Sequence, residues 1–241
     1  MYVAVPVTTL WTSPTAPRDV DAPAVVAHPD MVTWLADLDA AEARLGLHGR
    51  ALTQLEVGEP VDVREASADG SWLHVVAPMQ PSSLDQQGYP GWVPAHHVDA
   101  QVPAVSPLTA GPAHLEAFLA EARTHLGLPY LWGGMCDWGL DCSGLVHLSL
   151  RRIGVVFPRD ADDQYDACEQ ISAADAQPGD LYFFAHDGSR PHHVGIVTGP
   201  DQMLHAPETG SLIVEEALNP ARRDSLIGAG RVSELHAGPT G

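Results

Sequence analysis

Short runs of alternating apolar and polar residues dominate the first hundred residues of the chain. They include "YVAVPVTTLW", "ALTQLEV", "PVDVREA", "SWLHVVAP" and "GWVPAHHV", and the turn-forming segments "GEP", "ADG" and "GYP" separate several of them. Alternation bounded by glycine, proline and aspartate is typical of half-buried strands joined by tight turns. We therefore predict a small all-β barrel over residues 1–100.

A helical period interrupts this pattern between residues 12 and 50. Apolar residues recur there at helical spacing after Asp30, which is a suitable N-cap residue. The recurring residues are Met31, Trp34, Leu35, Leu38 and Leu45. We predict a helix inserted into one loop of the barrel.

The second half of the chain has helices first and strands afterwards. "AHLEAFLAEARTHLG" and "CSGLVHLSLRRIG" predict amphipathic helices that stop at Gly127 and Gly154. "GDLYFF", "HHVGIVTGP", "QMLHAP" and "GSLIVEE" then predict consecutive strands. This order indicates an α+β domain with an antiparallel sheet over residues 113–241. The proline-containing residues 101–112 are interpreted as the linker.

Charge and hydropathy narrow the range of partners. The 31 acidic residues outnumber the 12 arginines, there is no lysine, and the formal net charge is −19. This field repels nucleic acids and anionic membranes, so neither is predicted as a partner. The N-terminal residues lack the basic region of a signal peptide, which favours a cytoplasmic location, unless the native chain begins further upstream with an export signal.

Three cysteines, at positions 136, 142 and 168, are too few and too irregularly spaced for a disulfide framework or a zinc site. No "HExxH" motif occurs either, and we expect no metal or cofactor. Cys142 follows Asp141 at the start of a predicted helix, where unpaired amides and a nearby imidazolium can lower a thiol pKa. A nucleophile and an inert cysteine at a helix start are both compatible with this position.

A catalytic reading needs a base and a group that orients it. His193 begins an apolar strand, and His205 follows 12 residues later, where an antiparallel partner strand can bring it alongside. His192 competes with His193, because neighbouring residues on a strand point to opposite faces.

These motifs resemble the NlpC/P60 cysteine peptidases of bacterial cell-wall metabolism. The resemblance covers "PYLWGGMCDWGLDCSGLVHLSLRRIGVVFPRDADDQ", "QPGDLYFF", "HHVGIVTG" and "LHAP". It implies a papain-like domain in which Cys142 is the nucleophile, His193 the base and His205 the orienting residue. It also implies that the Tyr130 hydroxyl, with the backbone amide at the nucleophile, stabilises the oxyanion.

The first half resembles the SH3-like domain of the γ-D-glutamyl-diamino-acid endopeptidases. That resemblance implies cleavage of peptidoglycan stem peptides with a free N-terminal L-Ala, releasing L-Ala-γ-D-Glu in murein peptide turnover. Tyr89 would line the alanine pocket or lie on the barrel surface. Asp141 would bind the substrate ammonium or cap the helix, and Ser143 would contact the D-Glu unit or a first-turn amide.

Several assignments stay open at this level. Arg159 can meet the D-Glu carboxylate or pair with a local aspartate, and Glu59 can join the ammonium pocket or be a solvated turn residue. His192 is expected to titrate near pH 6 to 7. Cys136 would form an inhibitory disulfide with Cys142 if both thiols reached one pocket. Amide cleavage or acyl transfer on another molecule, or peptide binding without catalysis, are the alternative functions.

Overall fold

The computed structural model describes residues 1–101 and 114–235, which form two compact units. The first unit comprises residues 1–101 together with residues 131–140, and the second contains the remaining described residues. Apart from Gln101, the predicted linker lies outside the described residues. Residues 131–140, which we assigned to the second domain, thus pack with the first unit.

The first unit is built from antiparallel strands. In chain order they are β1 (Tyr2–Val3), β2 (Val7–Trp11), β3 (Ala51–Glu56), β4 (Asp62–Ala66), β5 (Trp72–Ala77), β6 (Tyr89–Pro94), β7 (Val98–Asp99), β8 (Met135–Cys136) and β9 (Gly139–Leu140). The main sheet has the order β3-β2-β6-β5-β4, while β1 pairs with β7 and β8 with β9. The all-β character predicted for this part of the chain is confirmed, whereas its SH3-like assignment stays a prediction.

Two helices, α1 (Ala22–Val25) and α2 (Met31–Ala40), lie between β2 and β3. The cap of α2 is the predicted one, because the Asp30 carboxylate accepts a hydrogen bond from the backbone amide of Thr33 at 2.9 Å. Leu45, however, lies beyond α2 in a 3-10 turn and is 67% exposed. The turns after α2 end the helical period before that leucine is reached.

A buried polar cluster ties residues 131–140 to the sheet of the first unit. Gln54 of β3 accepts hydrogen bonds at its side-chain oxygen from the Met135 amide at 3.1 Å and from the Cys136 thiol at 3.2 Å. Its side-chain nitrogen lies 3.4 Å from the Thr9 hydroxyl. All of these groups are buried, so one glutamine satisfies donors that have no access to water.

The second unit combines helices with an antiparallel sheet in which the strands do not follow one another in chain order. Its helices are α3 (Leu115–Thr124), α4 (Cys142–Arg152), α5 (Ala161–Ala167) and α6 (Pro220–Ser225). Its strands are β10 (Glu169–Ile171), β11 (Leu181–Phe184), β12 (His193–Gly199), β13 (Gln202–His205), β14 (Val214–Ala217) and β15 (Leu226–Arg231). They lie in the order β10-β15-β11-β12-β13-β14, which confirms the expected antiparallel α+β arrangement.

The predicted ends of α3 and α4 are confirmed. Gly127 and Gly154 follow them with φ values of 83° and 87°, a left-handed conformation that glycine adopts without steric cost. No pattern in the sequence predicted α5, α6, β10 or β15. Within residues 1–101 and 114–235, no helix combines the length and the apolar character that a membrane crossing requires.

Replacing Gln54 with alanine is expected to lower the free energy of unfolding of the first unit by about 1–3 kcal/mol, because the buried Met135 amide loses its acceptor. Denaturant unfolding followed by tryptophan fluorescence measures this change. The matched control is Gln86→Ala at an exposed position, with an expected effect below about 0.5 kcal/mol. Equal effects of the two substitutions would contradict the prediction.

Candidate active site

Cys142 is the first residue of α4, and Asp141 is the N-cap that places it there. The Asp141 carboxylate accepts a hydrogen bond from the Gly144 amide at 2.7 Å. The same carboxylate forms a two-pronged ion pair with Arg159, at 2.8 and 3.0 Å, and the arginine is only 1% exposed. The capping role proposed for Asp141 is therefore present, together with an ion-pair role that the sequence did not suggest.

The Ser143 hydroxyl belongs to the same network. It lies 3.3 Å from Asp141 Oδ1 and accepts a hydrogen bond from Arg159 Nη1 at 2.9 Å. Its expected alternative partner, an amide of the first turn, is instead bound by Asp141. Arg159 forms its shorter ion pair with Asp141, at 2.8 Å, and it also lies 4.0 Å from Asp160, one of the local aspartates considered as its partner.

The Cys142 thiol is almost completely buried at 8% exposure. The backbone amides of Val194 and Ser143 lie near its sulfur and act to lower the pKa of the thiol. Burial, followed by the charge of Asp141, nevertheless raises the pKa of the thiol to about 12. The low thiol pKa expected from the helix N-terminus is thus not found, because the loss of hydration outweighs the amides and the positive charge of Arg159.

His193 and His205 form the pair that their spacing predicted. Nε2 of His193 lies 2.9 Å from Nδ1 of His205, and both rings are buried. His193 begins β12 and His205 ends β13, and the antiparallel register of the two strands brings these ends together. The competition between His192 and His193 is also resolved, since His192 is exposed and stacks on His186 at a centroid distance of 4.2 Å.

Gly195 leaves the space that this pair needs. A side chain at this position would bring its Cβ to 3.3 Å from the His205 Cβ and to 2.6 Å from the Met203 sulfur. A larger residue here would displace the Met203 thioether and crowd His205, so glycine fits this position without rearrangement. The glycine in the "HHVGIV" segment has a steric reason for its place beside the histidines.

Glu216 is a member of the site that the sequence analysis missed. It lies on β14, and its carboxylate is 3.2 Å from Nε2 of His205. Because a carboxylate oxygen only accepts hydrogen bonds, Nε2 of His205 carries a proton and Nδ1 accepts from His193. His193 then donates through Nε2 and keeps its lone pair on Nδ1, the form that can act as a base.

Both histidines are neutral at pH 7. Burial, followed by the charge of Arg222, lowers the pKa of His193 well below 6.5. Burial also lowers the pKa of His205 to about 4, although the hydrogen bond with Glu216 acts in the opposite direction. The resting site therefore combines a neutral thiol with a neutral imidazole.

Tyr130 lies close enough to Cys142 and Asp141 for their charges to act on its hydroxyl. Burial raises the pKa of its hydroxyl, and the nearby groups of Cys142 and Asp141 raise it further. The hydroxyl stays protonated at all ordinary pH values and is a hydrogen-bond donor. Its backbone amide donates a hydrogen bond to the Ser211 carbonyl at 2.9 Å.

Two other candidates, Tyr89 and Glu59, belong to the first unit. Tyr89 is 4% exposed and packs in the apolar cluster of Leu10 and Val93, so the surface position considered for it is wrong. Glu59 is likewise buried rather than solvated, and its carboxylate accepts a hydrogen bond from Gln80 Nε2 at 3.0 Å. Their proposed contacts with a substrate stay predictions.

The surroundings of Cys136 and His192 shift the pKa values of both side chains. The Cys136 thiol is buried and donates to Gln54, and burial raises its pKa to about 12, so its geometry favours an inert structural role. The pKa of His192 is lowered, first by burial and then by His186 and Arg222. The direction of this shift is towards the neutral imidazole.

Comparison with known proteins adds independent information. The sequence pattern of the NlpC/P60 family matches residues 127–231. A gamma-D-glutamyl-L-lysine dipeptidyl-peptidase of Bacillus subtilis is 30% identical over 268 aligned residues, which cover 86% of this chain and 90% of that protein. A protein of the same name from Bacillus cereus is 25% identical and covers 95% and 90% of the two chains.

A solved structure supports the fold over nearly the whole chain. The crystal structure of an NlpC/P60 family protein from Bacillus cereus superposes with a TM-score of 0.86, and the match covers 95% of this chain and 98% of that one. The sequence identity is 24%, so this likeness concerns the fold.

The raised thiol pKa predicts how Cys142 reacts with alkylating agents. Inactivation by iodoacetamide is expected to accelerate continuously from pH 5 to pH 10, because the reactive thiolate is a minor species throughout this range. The rate constant is measured by mass spectrometry of the peptide that contains Cys142. A rate that levels off below pH 7 would indicate a preformed thiolate and contradict the neutral pair.

Proposed function

The chain belongs to the NlpC/P60 family and is a cysteine peptidase, and from this premise we propose that it is a γ-D-glutamyl-diamino-acid endopeptidase. It hydrolyses the bond between γ-D-Glu and the diamino acid in peptidoglycan stem peptides that have a free N-terminal L-Ala, and it releases L-Ala-γ-D-Glu. The observation that carries the proposal is the capped Cys142, whose sulfur lies near the backbone amide that follows His193, together with the hydrogen-bonded chain of His193, His205 and Glu216. The names of the two Bacillus relatives support the choice of bond.

Acylation begins with a proton transfer between neutral groups. Nδ1 of His193 takes the thiol proton while the Cys142 sulfur attacks the γ-carbonyl carbon of D-Glu. The Tyr130 hydroxyl and the backbone amide at Cys142 donate to the developing oxyanion. The C–N bond then breaks, and His193 returns the proton to the amine of the leaving diamino acid, which leaves a thioester on Cys142.

Deacylation repeats the same proton path with water. His193 removes a proton from the water molecule that attacks the thioester carbonyl, and the departing thiolate receives that proton. The products are a free thiol and a dipeptide with a free γ-carboxylate. His205 and Glu216 do not exchange protons with the substrate; they hold His193 in the tautomer and orientation that present Nδ1 to the thiol in the first half of the reaction and to water in the second.

Selection for a free amine is the second part of the proposal. Asp141, Tyr89 and Ser143 are proposed to bind the L-Ala-γ-D-Glu part of the substrate, as the resemblance implies. Asp141 already compensates the charge of Arg159, so its attraction for an ammonium group is weaker than that of an isolated carboxylate. We also propose that the first unit is SH3-like, for which its short antiparallel strands and helical insertion are the support. The cytoplasmic location and the role in murein peptide recycling stay predictions.

The assay with a free stem tripeptide tests bond and amine together. We expect L-Ala-γ-D-Glu-diaminopimelate to give L-Ala-γ-D-Glu and free diaminopimelate by mass spectrometry, and the N-acetylated peptide to react at least about 100-fold more slowly. Cys142→Ala is expected to lower the rate roughly 10⁴-fold or more, whereas the matched control Cys168→Ala keeps it. Comparable rates on both peptides would contradict the amine requirement, and hydrolysis by Cys142→Ala would contradict the nucleophile.

If Glu216 orients His205, substitutions of Glu216 should change both kcat and the pH dependence of kcat/KM, and the two effects can be measured separately. Glu216→Ala removes the acceptor for His205 and is expected to lower kcat roughly 3- to 10-fold, because the carboxylate is half exposed and the contact is screened. Glu216→Gln keeps an acceptor oxygen and most of the rate. Since the Glu216 contact raises the pKa of His205, both variants should move the acidic limb of the kcat/KM profile to lower pH.

Glu215→Ala is the matched control for these variants. Glu215 is the neighbour of Glu216 on β14, and its carboxylate pairs with Arg123 at 3.0 Å. This variant should leave both kcat and the acidic limb unchanged. A loss of rate that Glu216→Gln does not recover, or an unchanged acidic limb, would assign Glu216 to fold stability instead of histidine orientation.

A further inference from the structure

A cavity of about 620 Å³ lies in the second unit, and His192, the chain neighbour of His193, is among the residues that line it. This volume is within the range of cavities that hold small ligands. The charged and imidazole side chains that line it are His186, Asp187, His192, Glu208, Arg222 and Asp224. No step of the mechanism described above uses these residues.

The cavity lies close to the base His193. His192 precedes His193 in the chain, and the Arg222 guanidinium stacks 5.5 Å above the Phe184 ring, which itself lies 5.4 Å from the His193 ring. The charges of two lining residues also act on groups of the active site. After burial, the charge of Arg222 is the next contribution that lowers the pKa of His193, and Glu208 contributes to the raised pKa of Tyr130 after burial and nearer groups.

The Arg222 guanidinium uses only part of its N–H donors within the described residues. Its Nη2 donates to the Pro207 carbonyl at 3.2 Å, and no carboxylate in residues 1–101 or 114–235 lies within ion-pair distance of it. By contrast, the neighbouring Arg223 pairs with Asp201 at 2.8 Å. In a chain with 31 acidic residues and 12 arginines, a guanidinium beside a reaction centre without an acidic partner is well suited to bind a carboxylate from outside.

Three carboxylates complete the lining. Asp187, Glu208 and Asp224 are exposed, and none of them forms an ion pair with another described residue. One guanidinium next to the histidines and three carboxylates around it match a ligand that has a carboxylate near the reacting bond and an ammonium group further away. Such a ligand binds by complementary charge at both ends.

We propose that this cavity binds the leaving diamino acid, with its α-carboxylate on Arg222 and its side-chain ammonium among Asp187, Glu208 and Asp224. The proposal rests on the function stated above. The α-carbon of that residue carries both the nitrogen of the broken bond and the α-carboxylate, so a group that binds the carboxylate must lie near the histidine that protonates the nitrogen. Arg222 meets this requirement through its contact with Phe184, which packs near the His193 ring, and the cavity therefore favours a substrate in which the diamino acid is the C-terminal residue.

Two peptides that differ only at the C-terminal carboxylate test its contact with Arg222. They are L-Ala-γ-D-Glu-L-Lys and its C-terminal amide; lysine is used because diaminopimelate brings a second carboxylate. The wild-type protein is expected to prefer the free acid roughly 10- to 100-fold in kcat/KM. Arg222→Gln should bring the ratio of the rates on the acid and on the amide close to one, whatever its effect on the rate common to both peptides. Arg223→Gln, the matched control, should keep the wild-type preference.

The ratio of the two rates separates binding from a structural role. Loss of the positive charge beside His193, or a small distortion of α6, acts on both peptides and leaves the ratio unchanged. A wild-type ratio near one, or an unchanged ratio in Arg222→Gln, would overturn the assignment. Norleucine in place of lysine tests the ammonium end, where an unchanged kcat/KM would remove the three acids from the subsite.

A binding measurement distinguishes failure of this inference from failure of the proposed function. Calorimetry with Cys142→Ala measures the affinity of both peptides without hydrolysis. A preference for the acid that the double variant with Arg222→Gln loses supports the carboxylate site even if the wild-type protein cuts another bond. Equal affinities in both proteins overturn the site, while release of L-Ala-γ-D-Glu by the wild-type protein would still uphold the proposed function.

Discussion

The buried ion pair between Asp141 and Arg159 is the interaction on which the geometry of the site depends. One carboxylate caps α4, holds the Ser143 hydroxyl and neutralises an arginine that is almost completely inaccessible to water. Removing one member of such a pair leaves a buried charge, which typically costs about 3–5 kcal/mol. The position of the sulfur of Cys142, one residue after the cap, therefore follows from a contact that also links α4 to the segment before α5.

The same pair sets the electrostatics around the thiol. Asp141 disfavours the thiolate and Arg159 favours it, so their effects partly cancel, and burial remains the largest influence on the pKa of Cys142. A neutral thiol needs a neutral base, and the burial of His193 provides one at pH 7. The chemistry consequently depends on proton transfer during attack, and the protein must fix the histidine in the correct tautomer before substrate arrives.

The sequence predicted those parts of the site that local rules control. The cap at Asp141, the glycines after α3 and α4, and the 12-residue spacing of His193 and His205 all depend on residues close in the chain or on one strand pair. Glu216 could not be found in this way, because its role depends on the register between β13 and β14. A signal was present, because the segment "IVEE" follows the strand that ends at His205 and carries two acidic residues. No local pattern indicates which of the two faces the His205 ring.

Elements without a clear period were missed for related physical reasons. The helix α6 has six residues, too few for an amphipathic pattern, and β15 contains two glycines in place of alternating side chains. Residues 131–140 lie between Tyr130 and Asp141 in the chain, yet their buried donors are satisfied by Gln54 of the first unit. Which distant acceptor meets a buried amide is decided by packing and cannot be read from composition or period.

The placement of Arg222 connects ligand binding with base strength. In the resting site, burial and then the charge of Arg222 keep His193 unprotonated. A substrate carboxylate on the guanidinium would compensate that charge and favour the imidazolium form, at the stage when His193 has to accept the thiol proton. The loss of water from the cavity would strengthen this effect, because charges interact more strongly where water is excluded. A carboxylate next to the scissile bond would thus contribute to catalysis as well as to recognition, which an amide in the same place cannot do.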